Sequence, residues 1–180
     1  MQDTIERFAD EQRAPVLATA LIGAAAGAVG TVALDSVDWF LWNREEPASK
    51  RRTEAVRPGG EPPADVLVGR FEKALAAEVD KETHQKRGAA MHYAIGIAPA
   101  VGYALARDQL PVRGIARGAL FGFGLWLLQD EVLNSVTGLG AKPQDYPWQA
   151  HARGLAAHLA YGMATEVALE AADRVLARSA

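Results

Sequence analysis

Two histidines, His92 and His158, stand inside otherwise apolar stretches, GAAMHYAIGIAPAVGYALA and GLAAHLAYGMA. Acids surround these runs: Asp35 and Asp38 close the first apolar segment, Asp130 and Glu131 close another, and Glu166 lies deep in the last. Carboxylates and neutral imidazoles together bind divalent cations such as Zn, Mn or Fe. They also relay protons, because imidazole titrates near neutral pH and a partly desolvated carboxyl rises toward it. His92, His158, Asp35 and Glu131 are therefore the candidate metal set, and Glu166, Asp38 and Asp130 the candidate members of a proton or cation path. The competing account needs no ligand: these groups pair to hold helices together, or sit at headgroup level where charge is cheap. Neither a His-Glu-x-x-His helix nor the Glu-x-x-His pair of di-iron bundles occurs. The chain has no cysteine, which excludes disulfides, thiolate metal sites and Cys nucleophiles.

The elements that must carry these residues are apolar helices. Ala14 to Leu34 is a run of 21 residues without an ionisable side chain, and about 20 residues at 1.5 Å rise cross a hydrocarbon core of about 30 Å. Four spans emerge, at about 15–42, 88–106, 112–133 and 153–172, in a single membrane domain covering residues 1–180. Pro99 is expected to kink the second. Arg113 and Arg117 are expected to snorkel from one end of the third. The fourth carries His158, Glu166 and Glu170 and needs shielding by its neighbours. The N-terminal segment MQDTIERFADEQRAP mixes acids with bases, unlike a signal peptide, so the first span is expected to stay uncleaved.

The polar connection 43–87 divides in two. Asn43 to Pro63 reads as loop, whereas Leu67, Val68, Phe71, Leu75 and Val79 recur at helical spacing and predict an amphipathic helix at the membrane surface. The fold expected is all-α: an integral membrane four-helix bundle with this additional amphipathic helix in its first long connection. Following the spans back and forth places Asp35, Asp38, His92, Asp130, Glu131, His151 and His158 at one end, with Glu166 near mid-membrane or beyond. Trp39, Trp42, Tyr146 and Trp148 gather at that end as an aromatic belt. The connection GLGAKPQDYPW, Gly138 to Trp148, is a rigid loop over the cluster. Gly23 and Gly27, then Gly114, Gly118 and Gly122, have the small-xxx-small spacing of close helix contacts, either inside the bundle or in a homo-oligomer.

That last loop, followed by Gly154-Leu155-Ala156-Ala157-His158-Leu159 and Glu166, resembles the Gly-Leu … Pro-x-x-Asp-x-Pro-Trp loop and final helix of YagU-like bacterial inner-membrane proteins, through Pro143, Asp145, Pro147 and Trp148. Met91-His92-Tyr93 with Val101-Gly102-Tyr103 is similar to that family's second span, and Gly23 to Gly30 to its first. The resemblance covers about 110 residues and implies a multi-pass inner-membrane protein, without carrying over a biochemical activity. The connection from Asn43 to Arg87 departs from the family's pattern.

The function expected is that of a non-enzymatic multi-pass inner-membrane protein that binds a cation or handles protons through the Asp/Glu/His cluster. Its partner is the lipid bilayer. Two alternatives stand beside it. One is a membrane-embedded enzyme acting on a lipid-like substrate, which a hydrophobic slot opening to lipid at the level of His92 would favour. The other is a soluble Ala-rich helical bundle used for protein interaction. The net charge of -3 and the scattered bases exclude nucleic acid as a partner. Of the 19 Lys and Arg, 12 fall on the side of the longer connections and 7 on the side of the termini, which favours the former facing the cytoplasm.

Overall fold

A computed structural model describes residues 2–179, with side chains placed from 16 to 178. The side chains of residues 1–15, on which the reading of an uncleaved first span rests, lie outside the described set. The described residues are all-α, without a strand. Helix α1 (Gln2–Trp42) is the longest; α2 (Pro47–Val56) and α3 (Pro63–Ala74) follow, then α4 (Lys81–Ala106). After a tight turn, α5 (Ile115–Trp126) runs through a π-helical stretch, Leu127–Leu133, into a last turn, α6 (Asn134–Val136). Helix α7 (Trp148–Ser179) closes the chain. Helix α1 packs against both α4 and α7, α5 packs against α7, and α3 packs against α4.

Small residues set how closely these helices approach. A Cβ added to Gly27 would stand 2.7 Å from that of Ala100, and one on Gly23 2.8 Å from that of Ala104, so α1 and α4 meet almost backbone to backbone. On α5, a Cβ on Gly118 would lie 2.5 Å from the carbonyl oxygen of Gly162 on α7. The glycine faces expected to pack in the bundle or in an oligomer are thus occupied by helices of this same chain. Gly114 is the exception: it precedes α5 at φ +62°, and supplies a turn.

Burial is inverted relative to a water-soluble bundle. Among the described residues the buried hydrophobic ones are mostly Ala and Tyr, with Val68 and Leu169 the only large aliphatic ones. Buried beside them are Thr31, Arg107, Arg117, Arg153, His158, Thr165 and Glu166. Large apolar side chains point outward instead: Leu17, Leu21 and Val32 on α1, Leu120 and Phe123 on α5, Val167 on α7. Two helices, Val16–Trp42 and Lys81–Gln109, are long and apolar enough to cross a membrane by length and composition.

Several boundaries differ from those read in the sequence. Residues 47–56, read as loop, form α2, which starts with Pro47 in the first turn and buries only Ser49 and Thr53. Its buried face is polar, so no hydrophobic period announced it. The amphipathic helix α3 stops at Ala74, where Ala76 at φ 50° breaks the path, leaving Val79 outside. Helix α4 passes through Pro99 as one helix.

Candidate functional site

Depth along antiparallel helices brings the predicted acids and histidines to one end, and each histidine takes its own carboxylate. His92 Nε2 lies 2.8 Å from Asp35 Oδ1. His151 Nδ1 lies 2.6 Å from Glu131 Oε1 and its Nε2 3.0 Å from the carbonyl oxygen of Pro143. A backbone carbonyl only accepts, so Nε2 donates in the contact with Pro143. His158 is buried, with Nδ1 2.9 Å from the Gly154 carbonyl oxygen and 3.6 Å from Asp130 Oδ2. Asp38 accepts from Arg153 Nε at 2.8 Å instead of facing a histidine.

This pairing divides the candidate metal residues among separate contacts. His92 and Asp35 form one pair, while Glu131 belongs to His151 and His158 to Asp130, on other helices. Among the described residues no three His, Asp or Glu side chains converge to hold a metal ion.

Between these pairs lies a pocket of about 150 Å³. Asp38, Trp126, Asp130, His151 and Arg153 contribute to its wall, and the connection before α7 covers it with Ala141, Pro143 and Tyr146. That cover is tied down: the Tyr146 hydroxyl accepts from Ala141 N at 3.2 Å, and Arg52 Nε donates to the Asp145 carbonyl at 3.3 Å. Arg70 holds the loop's other end by donating to the carbonyls of Thr137 and Gly138 at 2.7 and 2.6 Å. Asp130 and Glu131 both border the pocket, although adjacent residues on an α-helix diverge by about 100°. They sit in the π-helical stretch, a local widening that recurs at functional sites.

Helix α2 supplies the part that sequence reasoning missed. Ser49, Thr53 and Arg57 recur every four residues and so share one side of the chain as it leaves α2. Thr53 and Arg57 border the pocket. Glu45, just before α2, accepts from Ser49 Oγ at 2.5 Å and from Arg153, whose guanidinium also stacks 4.6 Å over the Trp42 ring. The signal available in the sequence was the Pro47 helix start followed by polar residues at helical spacing.

Glu166, expected as a deep path member, belongs to a different cluster toward the opposite end. It is fully buried and accepts from Tyr103 Oη at 2.6 Å, Arg117 Nη2 at 2.6 Å and Nε at 3.0 Å, and Arg107 Nη1 at 3.3 Å. Arg117 does not snorkel; it turns inward and also reaches Asp108 at 3.0 Å. Arg107 pairs further with Asp173. With every oxygen engaged, Glu166 is a pin between helices.

At the α3–α4 contact, Glu72 accepts from Arg87 Nη1 at 3.0 Å and lies 2.7 Å from His84 Nδ1. The hydrogen bond with His84, helped by Arg87, holds the Glu72 carboxyl below its ordinary value against the opposing effect of burial. Beside this pair is an apolar slot of about 430 Å³ bordered by Val68, Phe71, Leu75, Ala90, Met91 and Ala94. It sits at the level of His92, yet His92 turns away to Asp35. No known protein family, curated protein or solved structure matches this chain.

Proposed function

We propose that the chain is a four-span integral protein of a bacterial inner membrane whose polar end takes up and releases protons. Support for the membrane reading comes from the inverted burial: Leu17, Leu21, Leu120 and Phe123 lie exposed while Arg, Glu, Thr and His are packed inside. In water each such exposed side chain forgoes about 1.5–3 kcal/mol of burial; against lipid it forgoes nothing, and close Gly/Ala packing with interhelical hydrogen bonds holds the helices. A soluble bundle has no reason for that arrangement. The inner-membrane location and multi-pass topology are carried over from the resemblance to YagU-like proteins.

The observation that carries the proton reading is the pair Asp130–His158 beside the pocket. Asp130 has only long contacts, 3.6 Å to His158 Nδ1 and 3.4 Å to Asn134 Nδ2, so its carboxylate keeps free acceptor capacity toward the pocket. His151, with Glu131, lies at the covered mouth of the same pocket. Imidazole exchanges protons near neutral pH, and the two pairs provide successive stations from the cover inward.

Purified protein reconstituted in liposomes with a trapped pH indicator tests this. After an imposed pH step, proton entry faster than in protein-free vesicles is expected, slowed at least about tenfold by Asp130→Asn or His158→Gln and unchanged by Glu82→Gln on the polar start of α4. Wild-type vesicles no faster than empty ones end the reading.

A second reading, binding of a lipid-like chain, is favoured by the slot at α3–α4. Its ionisable side chains, Glu72 and Arg87, bind each other. The slot suits holding an apolar chain and brings no free acid or base to it.

A further inference from the structure

We infer that the covered pocket binds a small zwitterion of the α-amino-acid class, a carboxylate and an ammonium on one short skeleton. The inference deepens the proton reading, because it uses the same pocket and shares Asp130 with it.

Two opposite charges border this pocket without closing on each other. Among the described residues the Arg57 guanidinium has no hydrogen bond or ion pair, and Asp130 has only its two long contacts. The other charges in the wall are spent: Asp38 on Arg153 and Glu131 on His151. An anion taken up by Arg57 alone leaves Asp130 paired only with His158, at 3.6 Å, and a cation taken up by Asp130 alone leaves the part-buried Arg57 without a partner. A zwitterion answers both.

Uncharged donors point the same way. Thr53 and Trp126 both border the pocket; Thr53 is 1% exposed and its hydroxyl has no protein partner, and the indole Nε1 of Trp126 is likewise buried and unpartnered. An indole N–H only donates, so its complement is an acceptor oxygen. Leaving such donors unsatisfied costs about 1–3 kcal/mol each, so a small shift of the wall that lets a guest carboxylate beside Arg57 reach them is favoured. Gly154 keeps the floor open: a Cβ there would stand 3.0 Å from Asp130 Oδ2 and 3.3 Å from Trp126 Nε1. The volume of about 150 Å³ lies below the range of about 300–1,000 Å³ typical of drug-sized ligands, which restricts the guest to the smallest members of the class.

Calorimetric titration of the full chain in detergent micelles at fixed neutral pH tests this, with glycine and alanine as probes. Acetate, methylammonium and glycerol present the anion, the cation and a neutral polar molecule separately. Glycine or alanine is expected to bind saturably at one site, and each separate half at least about tenfold more weakly. Arg57→Gln and Asp130→Asn are each expected to weaken glycine binding roughly 10- to 100-fold, and Trp126→Phe less; Glu82→Gln leaves it unchanged. No saturable heat from either amino acid with folded wild type overturns the proposal, as does acetate or glycerol binding equally well. The wild-type probe panel decides the matter even if a variant fails to fold. Binding without proton movement in liposomes removes the proton reading alone, whereas proton movement without binding removes this one.

Discussion

Glu166 is the side chain whose loss the fold tolerates least. It is 0% exposed, and two guanidiniums and a phenol converge on it from α4, α5 and the turn between them. Removing one partner of a buried ion pair costs about 3–5 kcal/mol because the remaining charge stays uncompensated. Glu166→Leu is therefore expected to lower the stability of the detergent-solubilised protein by that amount in thermal or denaturant unfolding. Asp108 and Asp173 still partner the arginines and set its upper limit. Tyr103→Phe, which removes one hydrogen bond, should cost about 1 kcal/mol. Equal effects from the two variants would contradict the pin. An acid in one apolar helix and an arginine in another are visible in sequence, but their pairing depends on which helices are neighbours.

At the scale of elements, glycine contacts carry the α5–α7 interface. A Cβ on Gly162 would collide with the backbone of Gly118 and Gly122, and one on Gly122 with the backbone of His158, whereas one on Gly124 meets nothing within 4 Å. Gly122→Ala and Gly162→Ala should each destabilise by about 1–3 kcal/mol through forced separation. Gly124→Ala should be neutral or stabilising by up to about 1 kcal/mol, the helix-propensity gain. A chemical-denaturation series of the three variants distinguishes packing from propensity.

Helix α3 is held to α4 differently, through Glu72. Folding lowers the value of this carboxyl, so the contact contributes fully above the ordinary carboxyl value of 4.5 and is lost as pH falls through the lowered one. Hydrogen-exchange protection of α3 amides, normalised to α1, should therefore hold above the ordinary carboxyl value of 4.5 and fall as the pH drops through the lowered one. In Glu72→Gln the protection should start lower and lose that pH dependence; an unchanged profile would contradict the assignment. The helical period of α3 was legible because its buried face is apolar, and α2 was not because Ser49 and Thr53 face inward.

For the whole molecule, the arrangement has an expected topology. Helices α1, α4, α5 and α7 alternate in direction: Asp35–His92 with Gly27–Ala100, Asp38–Arg153 with Gly30–Thr165, and Glu166–Arg117 with Gly122–His158 each run antiparallel. If all four cross a membrane, as proposed, both termini lie on one side of it and the connection between α1 and α4 on the other. Reporter fusions at the two termini and near Gly59 should give equal signals for the termini and the opposite signal for Gly59. The protein should also stay with membranes in alkaline carbonate; release would return it to the soluble-bundle reading. The distribution of Lys and Arg favours the α1–α4 connection facing the cytoplasm, although Arg107, Arg117 and Arg153 are spent in internal ion pairs.

The sequence alone determined the long apolar helices and the order of polar residues along each, because apolar run length and a fixed rise per residue set position along the axis in any antiparallel arrangement. It therefore placed Asp35, His92, Glu131 and His158 at one end. Only the tertiary structure decided their partners: His92 with Asp35, His151 with Glu131, His158 beside Asp130, Glu166 with two arginines. Partner choice depends on helix rotation and lateral order, and sequences rich in Gly and Ala specify neither through their hydrophobic period. The pocket needed the further step of folding a polar helix, α2, over the bundle's end, a placement set by contacts between residues distant in the chain, such as Arg52 with Asp145 and Arg153 with Glu45.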